Sequence, residues 1–218
     1  MKKLTALLLS AALLCGCGSS EQEAASTSSA AASSPSGNNA GAINLNTEEA
    51  DISGYVFLSD SDPAFVEINM EESFRLVEEG GTGLIFYSYE DCPWCNRAVP
   101  ILNQAAKEEG VTIFYDNIYD DWFMSKTKDE KEALVNKLYE VMEPALDTVT
   151  DEETGETSPV LRVPLVVAVK DGEIIGHHRG VVDSFELDED RLDEFQVTDD
   201  QKEELLNIYK ELIEETYA

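Results

Sequence analysis

From Gly83 to Tyr89 the chain reads Gly-Leu-Ile-Phe-Tyr-Ser-Tyr, and Cys92-Pro93-Trp94-Cys95 follows at the head of a helical pattern that continues to Glu109. A near-unbroken apolar run of this length predicts a strand buried on both faces. The junction then places two thiols at a helix N-terminus. Free backbone N–H groups and the positive end of the helix dipole favour a thiolate at Cys92. Pro93 suits the first helical turn, where its missing N–H is not needed. The i, i+3 spacing puts both sulfurs on one face, within reach of a disulfide. Cys92, nearer the exposed end, is expected to attack; Cys95, further in, to resolve the mixed disulfide.

Around this junction strands and helices alternate. Tyr55–Leu58 and Ala64–Ile68 read as short strands. Asn69 offers an N-cap with Glu72 placed to complete a capping box, and Gly80-Gly81 ends the helix between them. Gly110 ends the cysteine-bearing helix, and Val111–Asp116 reads as the next strand. An acidic segment follows, with a helix over about Lys128–Leu146 and a polar turn over Asp151–Pro159. Pro164–Val169 is a strand, Asp171-Gly172 signals a type I′ hairpin, and Glu173–His178 returns. Asp183–Phe195 is an acidic loop, and a final amphipathic helix begins near Thr198 with Gln201 forming a second capping box. The order gives one parallel and one antiparallel pairing, hence a mixed sheet flanked by helices.

At the other end, Met1-Lys2-Lys3 precedes the short apolar run Leu4–Leu14, which is too short to span a bilayer comfortably and reads as a secretory signal. Leu14-Cys15-Gly16-Cys17 resembles the bacterial lipoprotein signal. By that resemblance residues 1–16 are removed and Cys17 becomes the lipidated N-terminus, anchored by several acyl chains at the extracytoplasmic face of the cell membrane. Residues 17–42, rich in Ser and Ala, form a flexible tether with a reach of about 25–30 Å. Of the four cysteines, Cys92 and Cys95 are then the free thiols, and all the sulfur chemistry of domain 43–218 falls at one place. With 15 Lys and Arg against 45 Asp and Glu, a net charge of -30, the chain is ill suited to nucleic acid and to unassisted adsorption on anionic lipid.

Cys92, Cys95, Pro100, Ile101 and Leu102, followed by Arg162-Val163-Pro164 at the mouth of a strand and by Gly180 after the hairpin, resemble the thioredoxin superfamily over roughly Gly83–Gly180. The resemblance implies an α/β, thioredoxin-like three-layer sandwich with an acidic helical insert, about residues 119–159, ahead of a cis-proline loop. It implies a cis Val163–Pro164 bond facing the cysteines, a Val163 backbone that pairs with an extended client, and client contact through Pro93, Trp94, Val163, Pro164 and Gly180. The departures lie beside the cysteines. Phe86 stands where thioredoxins carry a buried Asp, and Glu90-Asp91 where an aromatic commonly precedes the first Cys. These carboxylates oppose the helix dipole, leaving the sign of the Cys92 pKa shift open. Cys-Pro-Trp-Cys with Ala98-Val99-Pro100 and Leu102-Asn103 is also similar to bacteriocin-transport accessory proteins of Gram-positive bacteria.

The resulting expectation is a membrane-tethered thiol–disulfide oxidoreductase, monomeric, with a redox-active Cys92–Cys95 disulfide and no other cofactor. It would act on protein thiols and disulfides and exchange electrons with a membrane redox partner. Two alternatives stand beside it: a non-catalytic binding or assembly module, and Cu(I) or Zn²⁺ handling by the two thiolates. His177 and His178 are expected as a surface pair on opposite faces of a strand; no resident metal site is expected.

Overall fold

The computed structural model describes residues 43–119 and 126–218. The signal segment, Cys17 and the tether lie outside the described residues. Among the described residues there are eight strands: β1 (Glu48–Glu49), β2 (Phe65–Ile68), β3 (Gly83–Ser88), β4 (Ile113–Asn117), β5 (Asp147–Thr150), β6 (Thr157–Val160), β7 (Leu165–Lys170) and β8 (Glu173–Arg179). The helices are α1 (Met70–Glu78), α2 (Pro93–Glu109), α3 (Lys128–Val141) and α4 (Asp199–Tyr217).

Six strands make the central sheet in the order β1-β2-β4-β3-β7-β8. β2, β4 and β3 are parallel, whereas β7 and β8 join antiparallel. β3 lies inside the sheet with every residue buried, as its apolar run requires. Its side chains alternate between two cores. Leu84 and Phe86 pack with Val99 and Leu102 of α2 and Leu205 and Tyr209 of α4. Ile85 and Tyr87 pack on the other face with Phe74 of α1 and Leu134 and Leu138 of α3. The result is helix, sheet, helix: the three-layer α/β sandwich with a mixed sheet that the sequence implies.

Local signals place most boundaries. Asn69 caps α1 by accepting the Glu72 N–H (3.0 Å), but the Glu72 carboxylate bonds Asn46 and Arg75, so this cap is one-sided. Thr198 and Gln201 form the reciprocal box of α4, and Thr127 with Glu130 does the same for α3. At the β7–β8 turn Asp171 and Gly172 both have positive φ, 50° and 82°. That is the type I′ pattern matching strand twist.

Three expectations are corrected. Residues 55–58 form turns, not a strand; Tyr55 N–H donates to Ile52 O (3.2 Å) and Leu58 N–H to Tyr55 O (3.1 Å), so the backbone is satisfied locally. The insert's helix stops at Val141 rather than near Leu146, and the segment expected only as a polar turn over Asp151–Pro159 belongs to a separate antiparallel hairpin of β5 and β6. Its turn is built on Asp151, whose carboxylate accepts from Glu153 N–H and Thr154 N–H and Oγ1. His178 is half-buried rather than a free surface group. It packs edge-on against Tyr209 at 5.7 Å with Nε2 2.6 Å from Val181 O, while His177 on the opposite face is exposed.

Candidate active site

After Ser88 the chain leaves the sheet, turns through Tyr89–Asp91 and enters α2 with Cys92 as its N-cap. The Cys92 sulfur replaces the usual capping oxygen and accepts the Cys95 N–H at 3.2 Å. Pro93 occupies the first turn, which carries no acidic residue. Asn96 ties this corner to the 51–60 loop: Nδ2 donates to the Glu90 and Cys92 carbonyls and Oδ1 accepts the Val56 N–H (2.8 Å).

The cis Val163–Pro164 bond faces this helix start. The Val163 carbonyl is 4.0 Å from Cys92 Sγ. Gly180, at φ 79°, donates its N–H to Pro164 O (2.9 Å), so the end of β8 holds the loop. Asp147 of β5 pairs with both Arg162 and Arg179, which fastens the insert's hairpin to the flank of the same loop. Trp94 is 41% exposed beside the thiols. Cys92, Cys95, Pro93, Trp94, Val163, Pro164 and Gly180 are thus brought to one end of the sheet.

One expectation about access changes. Cys95 is wholly buried, as anticipated, but Cys92 is only 3% exposed and belongs to the core cluster. The Val163 carbonyl and the first turn of α2 close over it.

The two thiols, both free, are driven apart in acidity. Cys92 is held below the usual thiol range by the hydrogen bond from the Cys95 thiol. Backbone N–H groups of Cys95 and Trp94 and the charge of Arg97 add to this, against the opposing effect of burial. Cys95 is pushed well up by burial and by its neighbour Cys92; the nearby Ser88 hydroxyl and Tyr89 backbone oppose this only in part. The sign left open by the sequence is thus downward at Cys92. Glu90 does not cancel it, because its carboxylate turns to the Gly54 N–H (3.0 Å).

Arg97, Asn96, Ser88, Tyr55 and Tyr115 were not singled out by sequence. Arg97 is 1% exposed. It donates to the carbonyls of Pro93 (2.9 Å), Leu192 (2.9 Å) and Glu194 (2.6 Å), and its guanidinium lies 4.8 Å from the Phe57 ring centroid. A charged residue immediately before the apolar run Ala98–Leu102 was the available signal for it, and a Ser inside the buried run of β3 was the signal for Ser88. Among the described residues no group of three or more His, Cys, Asp or Glu converges as metal ligands.

The sheet order, the cis-proline loop and its apposition to a Cys-x-x-Cys helix start define a thioredoxin-like fold. No protein-family model matches the chain, and no curated protein matches it. Among solved structures, thioredoxin from Aeropyrum pernix is similar at 23% identity and a TM-score of 0.33, over 53% of this chain and 74% of its own.

Proposed function

We propose that the protein is a thiol–disulfide oxidoreductase acting on protein cysteines, held by a lipid on Cys17 at the extracytoplasmic face of the membrane. The observation that carries this reading is the pair of free thiols with opposed acidity, set against the Val163–Pro164 loop. Such a pair divides the labour of exchange. The Cys92 thiolate attacks one sulfur of a client disulfide; the client S–S bond breaks and the departing client thiolate takes a proton from water. Cys95 then attacks the Cys92 sulfur, releases the second client thiol and leaves the Cys92–Cys95 disulfide. Two electrons have passed to the client. Run backwards, the same steps oxidise a dithiol, and a membrane redox partner resets the pair.

Because Cys92 is nearly covered, an extended client strand lying along Val163 is the presentation that brings a sulfur to it. Trp94 supplies an apolar contact beside the point of attack. The anchor keeps the site near the membrane; among the described residues no helix is long and apolar enough to cross one. In an insulin-reduction assay Cys92→Ser is expected to abolish turnover, and Cys95→Ala to trap client proteins as mixed disulfides in cells. Full activity of Cys92→Ser would overturn the assignment. Absence of trapped clients with Cys95→Ala would favour a non-catalytic binding module.

A further inference from the structure

The β7–β8 ladder runs up to the pair of Leu165 and Arg179. One residue further, Gly180 N–H donates to Pro164 O at 2.9 Å, and the chain turns away with φ at 79°. A Cβ on Gly180 would meet no atom within 4 Å beyond its chain neighbours, so the turn is open on that side. A bond at the end of a ladder and beside an open turn frays unless the chain beyond it is held. His178 holds it. Its Nε2 lies 2.6 Å from the Val181 carbonyl, three residues on. A carbonyl only accepts, so Nε2 carries the proton. Burial pushes the His178 pKa below the usual imidazole range, which keeps the ring neutral near neutral pH. The ring is fixed from its other side, edge-on to the wholly buried Tyr209 of α4 with centroids 5.7 Å apart. Past Gly180 the chain re-enters the core: Val181 and Val182 are buried in the cluster that contains Cys92 and Cys95. Gly180 is thus held by two bonds, its own to Pro164 and the one His178 makes across the turn. Packing against Tyr209 does not by itself call for a donor at 178, since an apolar side chain fills the same kind of contact.

We propose that His178 is a positioning residue for the client-facing loop: through Val181 it holds the Gly180 turn, and through Gly180 it fixes the Val163–Pro164 backbone on which an extended client pairs. This rests on the oxidoreductase reading above. The connection is short. His178 Nε2–H donates to Val181 O, Gly180 N–H donates to Pro164 O, and one residue back the Val163 carbonyl stands 4.0 Å from Cys92 Sγ. His178 acts at one remove from the chemistry. Its effect falls on pairing with the client backbone, because the acidity of Cys92 is governed from the opposite side, by Cys95 and the first turn of α2. A client strand needs Val163 in a fixed place to bring its own sulfur over Cys92. A small disulfide with no backbone to pair does not.

The reduced full chain is mixed in stopped flow with two disulfides: a pair of extended peptides joined through one cystine, and 5,5′-dithiobis(2-nitrobenzoate). The readout is the ratio of the peptide rate constant to that of the small disulfide. His178→Phe keeps a ring against Tyr209 but loses the donor, and the ratio is expected to fall about fivefold, the size of one hydrogen bond's net contribution. His178→Gln carries an amide N–H that reaches where the imidazole Nε2–H does, and the ratio is expected to return to within about twofold of the unaltered protein. His178→Leu, closer to histidine in size, replaces His178→Phe if the larger ring folds poorly. A ratio left unchanged by loss of the donor overturns the proposal, because the bond then has no bearing on clients. A ratio lowered as much in His178→Gln as in the donor-less variant overturns it too, because the ring and not its N–H is then what counts. If the unaltered protein reduces neither disulfide, the oxidoreductase reading fails instead.

Discussion

Arg97 puts a permanent cation under the first turn of α2, and among the described residues no carboxylate pairs with it. Three backbone carbonyls hold two arms of the guanidinium, while its Nε has no hydrogen-bond partner. An unpaired buried cation is costly, and here the Cys92 thiolate is an anion that can form beside it. Each charge favours the other. Removing the cation removes a cause that lowers the Cys92 pKa, so Arg97→Met should move the pH profile of Cys92 alkylation by iodoacetamide to higher pH. A profile that stays in place would show that the sulfur is set by its backbone donors alone. The same substitution leaves the Leu192 and Glu194 carbonyls unpaired, so a stability loss of about 1–3 kcal/mol in urea is expected alongside. At this scale the sequence was half legible. The cysteines announce themselves because their chemistry is local to one turn. Arg97 does not, because its role depends on carbonyls from the 183–195 loop that only the folded chain brings near. Ser88 and Tyr55 are hidden for the same reason, being 33 residues apart along the chain.

Helix ends and tight turns were the elements best read in advance, since a cap or a two-residue turn is decided by residues in contact along the sequence. Thr198 with Gln201 and Asp171 with Gly172 formed as expected. What failed were elements decided by distant partners. Tyr55–Leu58 has strand-like residues, but Asn96 takes the Val56 N–H and Tyr55 points its hydroxyl into the core, so no ladder forms. The β5–β6 hairpin looked like a polar turn because its strands are short and largely exposed, which removes the apolar alternation that signals a strand. The β7–β8 turn gives a sharp test. At Gly172 φ is 82°, and a Cβ there would lie 2.5 Å from the Val77 carbonyl, a backbone atom with little room to move. Gly172→Ala should therefore cost at least ~1–2 kcal/mol from the left-handed backbone alone, with the clash added to it. The midpoint of urea unfolding measures this, and a shift under about 0.5 kcal/mol would mean that the turn relaxes freely. The turn joins β7, which follows the cis-proline loop, to β8, which ends at Arg179 just before Gly180, so strain there loosens the site from behind.

Over the whole molecule, two apolar cores sandwich one sheet while the surface carries nearly all of a net charge of -30. That excess does two things. It repels itself in the compact state, and it attracts cationic chains over distances set by the screening length. The carboxylates of Glu90 and Asp91 stand immediately before the Cys92 helix, and the 183–195 loop that holds Arg97 is itself acidic. The field around the Cys92 end of α2 is therefore negative even though the sulfur's own surroundings favour an anion. The screening length falls from roughly 20 Å at ~0.02 M salt to about 4 Å at ~0.5 M. Across that range a disulfide peptide rich in Lys should lose reduction rate severalfold, whereas a matched peptide rich in Glu should gain. Thermal stability of the protein alone should rise with salt over the same range, as self-repulsion is screened. Stopped-flow rates with the two peptides decide the first point. Identical salt responses would mean that clients are admitted by the Val163–Trp94 surface alone, and that the acidic excess serves solubility rather than selection.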